Sequence, residues 1–70
     1  SLMNIFVNGQ SQTLTPSTNV LTVVQQLCGN PVPTGVAVAL NSAVVPRGQW
    51  EHTILEDEDS LEVLWASSGG

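Results

Sequence analysis

MNIFVNGQSQTLTPSTNVLTVVQQLCG, residues 3–29, is the stretch on which the fold turns. Its first half has the period of a strand. Ile5 and Val7 fall on one face of Met3–Val7, and Asn4 and Phe6 fall on the other. Asn8-Gly9 follows, and both residues accept the positive φ that a tight hairpin turn demands. Ser11–Leu14 therefore reads as the returning strand, polar enough for a sheet edge and closed by Pro16. The second half changes period. Asn19 is suited to cap a helix running from Val20 to about Cys28, in which Val20, Val23, Val24 and Leu27 make one apolar stripe. The β-branched valines weaken intrinsic helix propensity, so this helix depends on laying its stripe on a sheet. Gly29 is a natural stop, and Pro31 and Pro33 prevent continuation.

Downstream the strand period returns. Val36, Val38 and Leu40 alternate with Ala37 and Ala39, Asn41-Ser42 turns the chain, and Ala43–Val45 is a short strand ended by Pro46. Arg47 to Ile54 shows no pattern and reads as irregular, and Glu56–Asp59 reads as an acidic turn. In the last strand, Ser60–Trp65, Leu61, Val63 and Trp65 share one face while Glu62 and Leu64 share the other. A hairpin, a helix and then further strands predict an α+β roll: a mixed sheet of four to five strands with one main helix packed on one face. The single domain spans residues 3–65. Ser1-Leu2 ahead of Met3 reads as a cloning remnant, and Ala66-Ser67-Ser68-Gly69-Gly70 reads as a mobile tail with nothing to pack.

Composition narrows the function. Seventy residues allow one small domain with a thin core. A 41% hydrophobic and 10% charged chain is built to fold rather than to stay disordered. It has no apolar run to span a membrane and no signal-peptide pattern. A lone Cys28 excludes an internal disulfide or a cysteine-built zinc site and fits a reducing cytoplasm. The net charge of -5, with Arg47 as the one strong base, argues against nucleic acid and anionic membranes as partners. Such a chain is steered toward basic surfaces of other proteins. It also has no lysine, so it cannot be conjugated to its own side chains.

No residue reads as catalytic, and none as a metal ligand. Cys28, at a helix end, reads as a small packed hydrophobe rather than a nucleophile. His52 and Glu51, neighbours in an extended segment, would point to opposite faces, which leaves His52 as a surface histidine. Glu56–Asp59 lacks the alternating oxygen ligands and the glycine of a calcium loop. Arg47 is expected to pair with a carboxylate or cap backbone carbonyls, and Trp50 to cover one edge of the core. The terminal Gly69-Gly70 stands apart. Without side chains it can thread a narrow slot, and five residues from Ala66 reach about 17 Å, far enough to enter a partner's active site. Ser-Ser-Gly-Gly equally resembles a flexible linker.

Three stretches carry a family likeness: MNIFVNG at 3–9, VAVALNSAVVPRGQW at 36–50, and DSLEVLW at 59–65 ahead of the Gly-Gly end. With them the chain resembles the ThiS family of sulfur carriers, within the ubiquitin-like β-grasp group. The resemblance implies that the Gly70 carboxylate is the working group. A ThiF-like adenylyltransferase would adenylate it using ATP and Mg²⁺, and the chain itself would bind no cofactor. A cysteine desulfurase relay would supply sulfur to leave a thiocarboxylate, and a ThiG-like thiazole synthase would consume it in thiamine biosynthesis. Phe6, Ala37, Ala39 and Leu64, on strand faces opposite the helix, would form an apolar partner-binding patch flanked by Glu62. Two departures stand out: Glu58 occupies a position before Asp59 where such proteins often carry glycine, and Ser67-Ser68 makes the tail more polar. A MoaD-type carrier for molybdopterin synthesis, a protein modifier forming isopeptide bonds, and a non-catalytic β-grasp interaction module are the alternatives.

Overall fold

The computed structural model describes residues 1–65. Strand β1 (Met3–Val7) and strand β2 (Gln10–Leu14) pair antiparallel, with Met3 opposite Leu14 and Val7 opposite Gln10. Asn8 and Gly9 join them at φ 51° and 82°. This is the mirror-image turn whose twist matches that of the strands it connects. Helix α1 (Val20–Cys28) starts at Asn19, whose carboxamide oxygen accepts from the Thr22 amide at 2.8 Å and the Thr22 hydroxyl at 2.7 Å. It stops at Gly29, where φ is 103° and the amide donates to the Gln25 carbonyl. Strands β3 (Val36–Leu40) and β4 (Ala43–Val45) form a second hairpin around Asn41-Ser42, again with both φ values positive. Strand β5 (Ser60–Trp65) completes a five-stranded sheet of order β2-β1-β5-β3-β4.

That order makes the last strand the middle one. β5 runs parallel to β1 and antiparallel to β3, so the chain crosses over through α1 and one sheet face is covered. Met3, Ile5, Val7, Val38, Leu61 and Val63 from the sheet meet Val20, Val23 and Val24 from α1, all of them buried. The expected α+β roll is what the chain forms.

Four expectations need correction. Arg47–His52 is a 3₁₀ helix rather than irregular chain, started by Pro46, whose carbonyl accepts from the Gln49 amide at 2.8 Å. The turn swings Trp50 inward. Far from covering an edge, Trp50 is among the largest fully buried side chains, and its indole N–H donates to the Val45 carbonyl at 2.8 Å. Leu27 closes the predicted helix stripe but is exposed. Cys28, 100° further round the helix, packs on the core in its place, together with Leu21. Trp65 keeps the alternation of β5 yet is 54% exposed where Val63 is buried, because the covered part of the sheet ends before it. After the 3₁₀ helix the chain is stitched to the start of α1. The Val20 amide donates to the Thr53 carbonyl and the Leu55 amide to the Thr18 carbonyl, which seats Leu55 in the core.

Candidate functional site

The uncovered sheet face is built from the side chains that alternation turns away from the helix. Two rows of neighbours cross it. Val44, Ala39 and Glu62 lie side by side on β4, β3 and β5, and Ala37 lies beside Leu64 in the next row. The alanines are short, so they form a floor, while Val44 and Leu64 stand above it at 79% and 67% exposure. The outcome is an open apolar groove of about 140 Å³, lined by Ala37, Val38, Ala39, Val44, Glu62 and Leu64. Pockets for small ligands run to roughly 300 Å³ and more, so this groove fits one or two apolar side chains rather than a nucleotide. Glu62 puts the one carboxylate among the lining residues.

Of the expected patch residues, Ala37, Ala39, Leu64 and Glu62 come together here. Phe6 does not. It is exposed on the same face but sits opposite Ser60, four residues down β5 from Leu64 and so about 13 Å away along the strand. Val44 takes its place as the groove's second wall. Sequence reading missed it because a three-residue strand carries too little alternation to assign a face. The signal was there in Val45, whose turn toward the core forces Val44 outward.

The remaining candidates fall into structural roles. The Arg47 guanidinium donates to the Pro33 carbonyl at 3.0 Å and to the Val32 carbonyl, and it stacks over the Trp50 ring at 5.2 Å. It therefore caps backbone carbonyls and pins the segment ahead of β3 to the 3₁₀ helix. Glu51 and His52 end that helix, both exposed, on a turn rather than the extended segment expected. Two carboxylates of the acidic turn are taken up locally: Asp57 accepts from the Asn4 amide at 2.7 Å, and Asp59 accepts from the Glu56 amide and the Asn41 carboxamide. Among the described residues no group of His, Cys, Asp and Glu could hold a metal ion, and no helix is long and apolar enough to cross a membrane.

Both hairpin turns reach over to β5. The Asn41 carboxamide oxygen accepts from the Ser60 amide at 2.9 Å, at the strand's start. The Asn8 carboxamide brackets Val63 near its end, accepting from the Val63 amide at 2.8 Å and donating to the Val63 carbonyl at 3.2 Å. Each asparagine side chain thus stands in for a strand backbone where its own strand has turned away. Gly70, the expected working group, lies outside the described residues, as do Gly69, Ser68, Ser67 and Ala66. They follow directly on this clamped strand.

Comparison with known proteins agrees with this architecture. The sequence model of the ThiS family matches residues 5–70, through the terminal glycines. The sulfur carrier protein ThiS of Escherichia coli (strain K12) is 31% identical over 68 residues, covering 97% of this chain and all of that protein. The crystal structure of a thiamine biosynthesis protein (ThiS) from Geobacter metallireducens superposes with a TM-score of 0.75 at 33% identity, covering 97% of this chain and all of that one. With a match across nearly its whole length and the same mixed sheet under one helix, the chain belongs to the ThiS family.

Proposed function

We propose that this protein is a sulfur carrier for thiamine biosynthesis and that the Gly70 carboxylate is the group that carries. The observation that supports it most is the reach of the family match, which runs through Gly69-Gly70 to the end of the chain. In this reading a ThiF-like adenylyltransferase, using its own ATP and Mg²⁺, joins the Gly70 carboxylate to the α-phosphate and releases pyrophosphate. The mixed anhydride turns a poor acyl donor into a good one. A persulfide sulfur from a cysteine desulfurase relay attacks the acyl carbon and displaces AMP. A thiol then cleaves the sulfur–sulfur bond, taking one sulfur into a disulfide and leaving a thiocarboxylate on Gly70. A ThiG-like thiazole synthase consumes that sulfur.

The chain is a co-substrate in this cycle rather than an enzyme. It offers a terminus without side chains, able to enter a narrow active site, and a body that docks outside. The groove walled by Val44 and Leu64 suits an apolar side chain from the partner, and Glu62 beside it suits a basic one. The net charge of -5 steers the body toward such basic surfaces.

The test is an intact-mass measurement after incubation with ATP, a ThiF-like enzyme and a sulfur donor, with a chain lacking Gly70 as control. Exchange of one oxygen for sulfur, mapped to Gly70 and absent from the control, is the expected result. A cognate enzyme that yields neither adenylate nor sulfur gain would overturn the reading and leave a non-catalytic interaction module.

A further inference from the structure

β5 outruns its parallel neighbour. β1 ends its ladder with Val7 opposite Leu61, and the Asn8 amide adds one last backbone bond to the Leu61 carbonyl at 2.9 Å. β5 continues for four more residues to Trp65. On the β3 side it stays paired to its end, with Val36 opposite Trp65. On the β1 side its odd-numbered residues turn their backbone groups outward, as the bonds at Asp59 and Leu61 show. Val63 is the first of these residues beyond the reach of β1 backbone, and the Asn8 carboxamide supplies both the acceptor and the donor it needs.

Resting on the carrier reading, we propose that Asn8 is a positioning residue for the reactive terminus. Its carboxamide clamps β5 at Val63 and so fixes the point and direction in which the chain leaves the sheet toward Gly70. Fifty-five residues separate the two partners, so this bond ties the first turn of the chain to the last strand before the proposed working group. With β3 alone, β5 would be held along one edge over its last residues and could swing about that edge. An activating enzyme that docks the body on one face and threads the end of the chain into its active site needs that swing removed. The turn requirement and the clamp are separable, because Gly also takes the positive φ of Asn8 without strain.

The experiment compares Asn8→Gly, which keeps the turn and deletes the carboxamide, with Asn8→Asp, which keeps an acceptor for the Val63 amide. Amide hydrogen exchange of the full-length chain gives one readout, and steady-state adenylation by the cognate enzyme gives the other. In Asn8→Gly the Val63 amide is expected to exchange roughly tenfold faster, the loss of a modest hydrogen bond, while β1 and α1 amides keep their rates. Asn8→Asp restores part of that protection. In adenylation the expected loss for Asn8→Gly is several-fold in kcat, with KM within about twofold. Unchanged Val63 exchange, or acceleration spread evenly over all strands, would overturn the clamp. A full-rate kcat, or a loss carried by KM alone, would overturn the positioning role. If the unsubstituted chain is not adenylated at all, the carrier reading fails, and the exchange data still judge the clamp.

Discussion

Trp50 shows how much one residue decides in a domain of this size. It is buried and bonded through its indole N–H to the Val45 carbonyl, while the other tryptophan, Trp65, is half exposed. Trp50→Phe keeps most of the apolar volume but leaves that carbonyl without its partner, a cost of about 2 kcal/mol. Urea unfolding followed by circular dichroism is expected to show a lower midpoint at an unchanged slope; an unaltered midpoint would mean that the indole bond contributes nothing. Ser42 offers the opposite case. It sits at φ 73° in the second position of the β3–β4 turn, where glycine is at ease and serine is strained. Relief of about 1 kcal/mol, less the extra unfolded-state entropy of glycine, leaves Ser42→Gly more stable by about 0.5 kcal/mol. Calorimetry is expected to show a thermal midpoint about 2–4 °C higher. Glu58, in place of the expected glycine before Asp59, lies in the same region at φ 70°. The glycine that the resemblance leads one to expect at this position would take that φ without strain.

At the scale of elements, α1 is a nine-residue helix rich in β-branched residues, which could not persist alone. Packing and caps hold it. Asn19 serves both ends of a junction: its carboxamide oxygen caps the first turn, and its carboxamide nitrogen donates to the Glu51 carbonyl at 3.1 Å, tying α1 to the 3₁₀ helix. Asn19→Ala is expected to cost about 1–2 kcal/mol, the cap and the tie together. Thermal unfolding and exchange rates of the α1 amides would check it, and exchange confined to the first turn would show that the tie to Glu51 carries no weight. This junction was half legible in the sequence. The cap is a local rule written in Asn19 and the apolar run after it. The 3₁₀ helix is not, because Arg47–His52 has no apolar period and is held by what it touches: the Arg47 bonds to Val32 and Pro33, and the seat of Trp50 in the core.

For the whole molecule, what matters is that one sheet face is covered and the other is left open beside the strand that leads to Gly70. Leu64 stands on that open face at 67% exposure, so Leu64→Glu removes little from the core. Stability is expected to change by less than about 0.5 kcal/mol, the usual range for a surface position. Docking onto an activating enzyme is expected to suffer, with kcat/KM for adenylation falling at least about tenfold as a carboxylate enters an apolar contact. Equal kcat/KM for the two chains would remove the groove from the docking surface. Phe6→Ser, on the same face but away from the groove, is the matched control and is expected to leave kcat/KM near that of the unsubstituted chain.

The five strands and the helix were already legible from local rules in the sequence, though β2 starts at Gln10, one residue ahead of the expected Ser11. A period of two or of 3.6, Asn-Gly and Asn-Ser turns, an Asn19 cap and a Gly29 stop each act within a few residues. The terminal glycine pair could be read without a fold, but only the family resemblance gave it the role proposed for it. Tertiary structure alone decided that β5 lies between β1 and β3, that Val44 rather than Phe6 walls the groove, and that Asn8 reaches Val63. These depend on contacts between residues as much as 55 positions apart. Such contacts leave no local period or motif, because they are selected by the shared burial of a core that no single segment can form by itself.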